Sequence, residues 1–129
     1  AVERMRAARE AIDGSGEDVL LVGRSEGYLI GRKGLDATIE RLVAYAEAGA
    51  DCLYAPGMRD LGEIAAVVKA VAPKPVNVLL MGPDTPIAKL AAVGVRRVSV
   101  GGGLAAAAWA GFDQAARLLI EEGTIPPRG

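Results

Sequence analysis

Four short apolar runs, each closed by a glycine, a proline or a polar residue and each followed by helical periodicity, constrain the fold of this chain more than any other feature. The runs are Asp-Val-Leu-Leu-Val at 18–22, Cys-Leu-Tyr-Ala at 52–55, Pro-Val-Asn-Val-Leu-Leu at 75–80 and Arg-Val-Ser-Val at 97–100. Runs with so little polar alternation are expected of parallel strands covered on both faces. After the first, Leu35, Ile39, Leu42, Val43 and Ala46 trace one face of a helix closed by Gly49; after the second, Leu61, Ile64, Ala65, Val68 and Val71 do the same before Pro73. A third helix is expected from an N-cap at Thr85, with Pro86 at its first position, to Gly94. A long alanine-rich helix should run from Leu104 to about Glu122, and Pro126-Pro127 cannot extend it. Ahead of the first strand, Val2, Met5, Ala8 and Ile12 predict an amphipathic helix ended by Asp-Gly-Ser-Gly at 13–16.

The pattern is α(βα)4, an α/β arrangement of four parallel strands linked by helical crossovers. It fits either a (βα)4 half of a (β/α)8 TIM barrel or a small open doubly wound sheet. The leading helix without a strand of its own, the short strands of similar length and the polar residues at strand C-terminal ends favour the half-barrel. Four strands cannot close a barrel, so the half-barrel reading takes 1–129 as a single unit and expects the rest of the barrel elsewhere. Strands are expected near 18–23, 51–55, 75–80 and 96–100, in sequential order, with helices on one side only.

Composition narrows the chemistry. With 15 basic and 16 acidic side chains the formal net charge is −1, which removes the electrostatic basis of a dedicated nucleic-acid binder. The chain has no histidine, so Ser-His-Asp triads, Cys-His dyads and histidine-containing zinc motifs are excluded. Cys52 is the single cysteine, so no intrachain disulfide forms. No apolar run approaches the roughly 20 residues that span a bilayer, and residues 1–10 are charged and amphipathic rather than a signal peptide. The expectation is a cytoplasmic protein with no nucleic-acid and no membrane partner.

Arg24, in Leu-Val-Gly-Arg-Ser-Glu at 21–26, is the leading candidate for chemistry. Alternation with Leu20 and Val22 aims it inward at the mouth of the sheet. There it must meet Glu26, another carboxylate, or a substrate anion held by two parallel hydrogen bonds. Asn77 interrupts an apolar strand, so its amide either braces neighbouring loops or serves a ligand. Ser99 offers a hydroxyl of the same standing, more easily satisfied locally. The glycines 101–103, between strand and helix, suit either a tight turn or an anion site at bare backbone amides, with Gly101 nearest the strand. Cys52 reads as a small buried hydrophobe rather than a nucleophile, with nothing basic placed to lower its pKa. Ala105 to Ala108 with Trp109 and Phe112 read as a packing surface.

Five segments, in this order, resemble the C-terminal half of the isocitrate lyase and phosphoenolpyruvate mutase family: Val-Gly-Arg-Ser-Glu at 22–26, Leu-Asp-Ala-Thr-Ile-Glu-Arg-Leu at 35–42, Tyr-Ala-Glu-Ala-Gly-Ala-Asp-Cys-Leu-Tyr at 45–54, Pro-Val-Asn-Val at 75–78 and Leu-Ala-Ala-Val-Gly-Val-Arg-Arg-Val-Ser at 90–99. The resemblance covers nearly the whole chain and implies strands five to eight of a (β/α)8 barrel. It implies an oligomeric enzyme that uses Mg2+ on small 2-oxo or 2-hydroxy carboxylates, with the last helix exchanged between neighbours. By resemblance, Arg24 matches the arginine that binds the substrate carboxylate and Asn77 a polar position lining the pocket. Glu26 stands where an aspartate is more common.

The family's metal-binding acids and its mobile loop come from the first half of the barrel, and nothing here matches them. Where some methylisocitrate-cleaving members carry a glutamate and phosphomutases a histidine, this chain has Ala-Pro-Gly-Met at 55–58. The expectation is therefore part of a Mg2+-dependent carbon-carbon lyase or decarboxylase. The ion's ligands would lie in the other half-barrel, Arg24 would be the catalytic residue, and Asn77, Ser99 and Gly101 would join it in binding substrate. The alternatives are a phosphoenolpyruvate or phosphonopyruvate mutase, and a non-catalytic anion-binding half-barrel that self-associates.

Overall fold

The computed structural model describes residues 1–32 and 34–127. The chain divides into two compact units, Ala1–Ser99 and Val100–Gly129.

The first unit holds α1 (Val2–Ser15), β1 (Val22–Arg24), α2 (Leu35–Glu47), β2 (Cys52–Tyr54), α3 (Leu61–Val71), β3 (Val76–Leu79), α4 (Ile87–Ala92) and β4 (Arg97–Ser99). The strands form one sheet in the order β1-β2-β3-β4, with every pair parallel. That is the (βα)4 half of a (β/α)8 barrel expected from the sequence. Alternate strand residues divide the sheet into two faces. Leu53, Val76 and Val78 pack with Leu42 and Tyr45 of α2, Ile64, Val67 and Val71 of α3 and Leu90 of α4, so these helices cover one face. Gly23 belongs to that face and has no room for a side chain: a Cβ there would lie 2.9 Å from the Tyr45 Cβ and 3.1 Å from Leu53 Cδ1.

The strands are shorter than the sequence reading by a residue or more at most ends, and three boundaries differ for identifiable reasons. β1 begins at Val22, although the apolar run starts near residue 18, and Val19 and Leu20 are exposed. Pairing starts late because Asp51 takes over the approach: its Oδ2 accepts from the Leu21 amide at 2.7 Å, while the Leu21 carbonyl accepts from the Asp51 amide at 2.8 Å. α1 runs on through Asp13 and Gly14 to Ser15 and stops only at Gly16, whose φ of 70° is the left-handed turn that glycine adopts without a Cβ clash. α4 starts at Ile87, with Pro86 rather than Thr85 at the cap, because Pro86 is extended (φ −58°, ψ 147°) and stays outside the helix. Asp60 supplies a cap the sequence reading did not mark: its Oδ1 accepts from the Glu63 amide at 2.9 Å and opens α3.

The second unit carries α5 (Gly103–Glu122), which ends at Gly123 in the left-handed region. Its Trp109 and Phe112 rings meet edge to face, 5.7 Å between centroids. Asp113 and Arg117 pair one turn apart at 2.8 Å.

Candidate functional site

The face of the sheet turned away from the helices is polar. Register sets Arg24 opposite Tyr54, Tyr54 opposite Asn77, and Asn77 opposite Arg97, so one lateral row crosses all four strands. Partners in a parallel row point to the same side, and residues two apart on a strand share that side. The inner face therefore carries Val22 and Arg24, Cys52 and Tyr54, Asn77 and Leu79, and Arg97 and Ser99.

Arg24 closes β1, and its guanidinium lies over the Tyr54 ring, 5.1 Å from the centroid. Its Nε donates to Glu26 Oε1, and both side chains are about half exposed, at 47% and 48%. Of the partners weighed for Arg24 on sequence, Glu26 is the one the structure records. Hydrogen bonding to Glu26 raises the Arg24 pKa above the usual arginine value, so the cation is permanent. A guanidinium carries five N–H donors, and Glu26 uses the one on Nε.

Asn77 is 1% exposed and joins β3 to β4, its Nδ2 donating to Ser99 Oγ at 3.0 Å. Its Oδ1 is buried and accepts no hydrogen bond among the described residues. Asn77 and Ser99 are thus in contact, and both share the inner face with Arg24. Gly101 lies in the second unit, where its φ of 51° and the Gly103 amide donating to the Val100 carbonyl at 2.9 Å make a tight turn.

Two features of the site escaped the sequence reading. Tyr54, the platform under Arg24, read as one more apolar strand residue. Arg97 read as the first residue of the fourth strand with no role of its own, although the alternation that sends Ser99 inward sends Arg97 with it. Cys52 is buried as expected, but the expectation of no basic neighbour is corrected. Burial pushes its thiol pKa up, and the opposing effect of Arg97, brought close only by strand pairing, is too small to reverse that.

The loop after β1 is held from behind. Ser25 donates its amide to the Tyr54 carbonyl at 2.8 Å, and Tyr28 is buried against the turn after β2. Gly57 of that turn has φ 90°, and any Cβ would press on the backbone of Tyr28 and Leu29 at 3.2 Å. The Tyr28 hydroxyl stands near Glu63 without a well-formed hydrogen bond, and burial, aided by Glu63 and Asp60, pushes its pKa up to about 12. A cavity of about 40 Å³ at the ends of β2 and β3 is lined by Met58, Leu80 and Met81 but also by Ile64, Val78 and Leu90. Those last three belong to the helix-covered core, so the cavity lies behind the sheet.

A Mg2+ ion requires several oxygen ligands. Among the described residues no three acidic or cysteine side chains cluster to hold a metal, and Glu26 is engaged by Arg24. The residues present do not fit a complete metal site.

Residues 1–120 match the family model described as phosphoenolpyruvate phosphomutase. A solved structure from Burkholderia cenocepacia J2315, described as a lyase/mutase, shares 52% identity with a TM-score of 0.89 over 96% of this chain and 45% of its own. A second from the same organism, described as a phosphonomutase, shares 34% identity with a TM-score of 0.80 over 90% of this chain and 50% of its own. Oxaloacetate acetylhydrolase in complex with the product oxalate shares 26% identity with a TM-score of 0.87 over 98% of this chain and 45% of its own. The chain thus spans about half the length of these solved relatives. With the family model matching almost its whole length, and relatives that superpose on its strands and helices, this chain belongs to the phosphoenolpyruvate phosphomutase family, whose relatives include lyases and mutases.

Proposed function

We propose that this chain is the C-terminal half-barrel of a Mg2+-dependent carbon-carbon lyase or decarboxylase that acts on a small 2-oxo or 2-hydroxy carboxylate and works as a homo-oligomer. The observation that carries this reading is Arg24: a half-exposed, permanent cation at the C-terminal end of a parallel strand, seated on Tyr54 and braced by Glu26 on one edge. Sites of (β/α)8 enzymes are built at that end of the strands. A carboxylate binds a guanidinium through two parallel hydrogen bonds, and the terminal nitrogens match that geometry.

In this reading Arg24 neutralises the substrate carboxylate, which lets negative charge build on the adjacent carbon as the neighbouring bond breaks. Tyr54 keeps the guanidinium from swinging away, and the Asn77–Ser99 pair supplies polar contacts on the same face. Mg2+ would supply charge neutralisation at the reacting oxygens, held by groups outside this chain. The relative solved with oxalate, named for hydrolysis of oxaloacetate, supports bond cleavage next to a carboxylate. The family description and the phosphonomutase-like relative favour a second reading, phosphoryl migration on a phosphonopyruvate-type substrate.

The test is incubation of the complete protein and Mg2+ with 2-oxo dicarboxylates, 2-hydroxy dicarboxylates and phosphonopyruvate, with products followed by proton and phosphorus NMR. Cleaved carboxylates whose formation a chelator stops are the expected result. Conversion of phosphonate to phosphate ester selects the second reading. Anion binding without turnover on any substrate would leave only the non-catalytic half-barrel.

A further inference from the structure

Arg97 shares the inner face with Arg24 but stands at the other end of it. The row that links them passes through the last residue of β1 and the first residue of β4. Arg97 therefore opens its strand where Arg24 closes its own, three strands away in the same row. Across β3, Tyr54 shares its row, and Cys52, the first residue of β2, feels the Arg97 charge.

The other charged and titratable groups on this face come from β1 and β2. Arg24 is paired with Glu26, and Tyr54 lies under Arg24. β3 contributes the uncharged Asn77. Asp51, just before β2, is taken up by Arg9 at 3.0 Å and by the Leu21 amide. Among the described residues no ion pair includes Arg97, which is exposed.

The inside of a (β/α)8 barrel is packed with side chains rather than water. A guanidinium enclosed there without an anion is strongly destabilising, so it needs a counter-charge that this chain does not present. The relative that superposes at a TM-score of 0.89 is more than twice as long, which is room for the strands that would enclose this face. We propose that Arg97 forms a buried ion pair with a carboxylate carried by the barrel strands outside this chain. The pair sits on β4, at the opposite edge of the sheet from Arg24 on β1, so it governs how the two half-barrels lock together and is independent of the reaction assigned above.

The experiment uses the complete protein with Arg97→Gln and Arg97→Lys, melted at pH 5 and pH 8, each with and without 10 mM inorganic phosphate. Removing the cation strands a buried carboxylate, whose pKa rises. The folded variant then holds a proton that the unfolded chain gives up above about pH 4, so the variant loses stability as pH rises. Arg97→Gln should lower Tm by about 10 °C at pH 8 and by much less at pH 5, while Arg97→Lys recovers most of the loss. Phosphate should change none of these differences.

Equal losses at the two pH values, no loss at either, or failure of Arg97→Gln to fold at both would assign Arg97 to packing and overturn the proposal. Stabilisation of the unsubstituted protein by phosphate that Arg97→Gln abolishes would identify an anion-ligand site instead, and would overturn it as well.

Discussion

Alternate residues of the same four strands build two unlike surfaces. The helix-covered face is Gly23, Leu53, Val76 and Val78, closed by Leu42, Ile64, Val67 and Leu90 with almost no exposure. The opposite face holds Arg24, Tyr54, Asn77, Arg97 and Ser99, with an orphaned amide oxygen and a cation that has no partner among the described residues. Free energy of folding is concentrated on the first, because apolar burial there is complete. The second is arranged at some cost in stability, since the buried Asn77 Oδ1 is left unsatisfied. The contrast separates what holds the fold from what is available for binding.

The strongest way to break that separation is Arg24→Ala in the complete protein. Its kcat/KM should fall by about 1000-fold or more while Tm moves by less than about 2 °C, because a half-exposed arginine contributes little to packing. Steady-state assays and thermal melts decide it, and an unfolded variant would mean that the inner face also carries the fold. Leu53→Ala probes the other face and should cost about 3 kcal/mol in urea unfolding, since a side chain with 0% exposure leaves a cavity. Its substrate affinity should be unchanged once folded.

Asp51→Ala should cost about 1–2 kcal/mol, as the Leu21 amide and Arg9 lose their acceptor at the start of β1. Hydrogen exchange at Leu21 reports the local effect. The smallest effect belongs to Tyr28→Phe. The hydroxyl is raised from 10.0 to about 12, so the folded state keeps a proton that the unfolded state releases. That contribution is fully present below pH 10 and is lost as pH rises through 12. The variant should match the unsubstituted protein at pH 8 and show a smaller drop in Tm between pH 9 and pH 11.

The helix-covered face was readable from the sequence because it depends on local periodicity: Leu42, Ile64 and Val67 sit on helical stripes, and Leu53 and Val76 in apolar runs. The inner face was readable only in part. Arg24 and Asn77 stood out as polar residues inside apolar runs, but the Asn77–Ser99 contact crosses a two-residue offset, because Asn77 is in register with Arg97 and Ser99 with Leu79. Tyr54 under Arg24 and Arg97 opposite Asn77 depend on strand register, a property of two segments together that neither encodes alone. The late start of β1 has the same origin, because it is set by a side chain 30 residues away.

Gly23 has a consequence that reaches from one surface to the other. With 2.9 Å between its missing Cβ and Tyr45, α2 rides directly on the backbone of β1, one residue before Arg24. The glycine works as a shim of zero thickness. A methyl group at that position would lift β1 off its helix and carry the Arg24 side chain with it, so the reach of the guanidinium is adjusted from behind the sheet, by a residue with no charge and no view of the ligand.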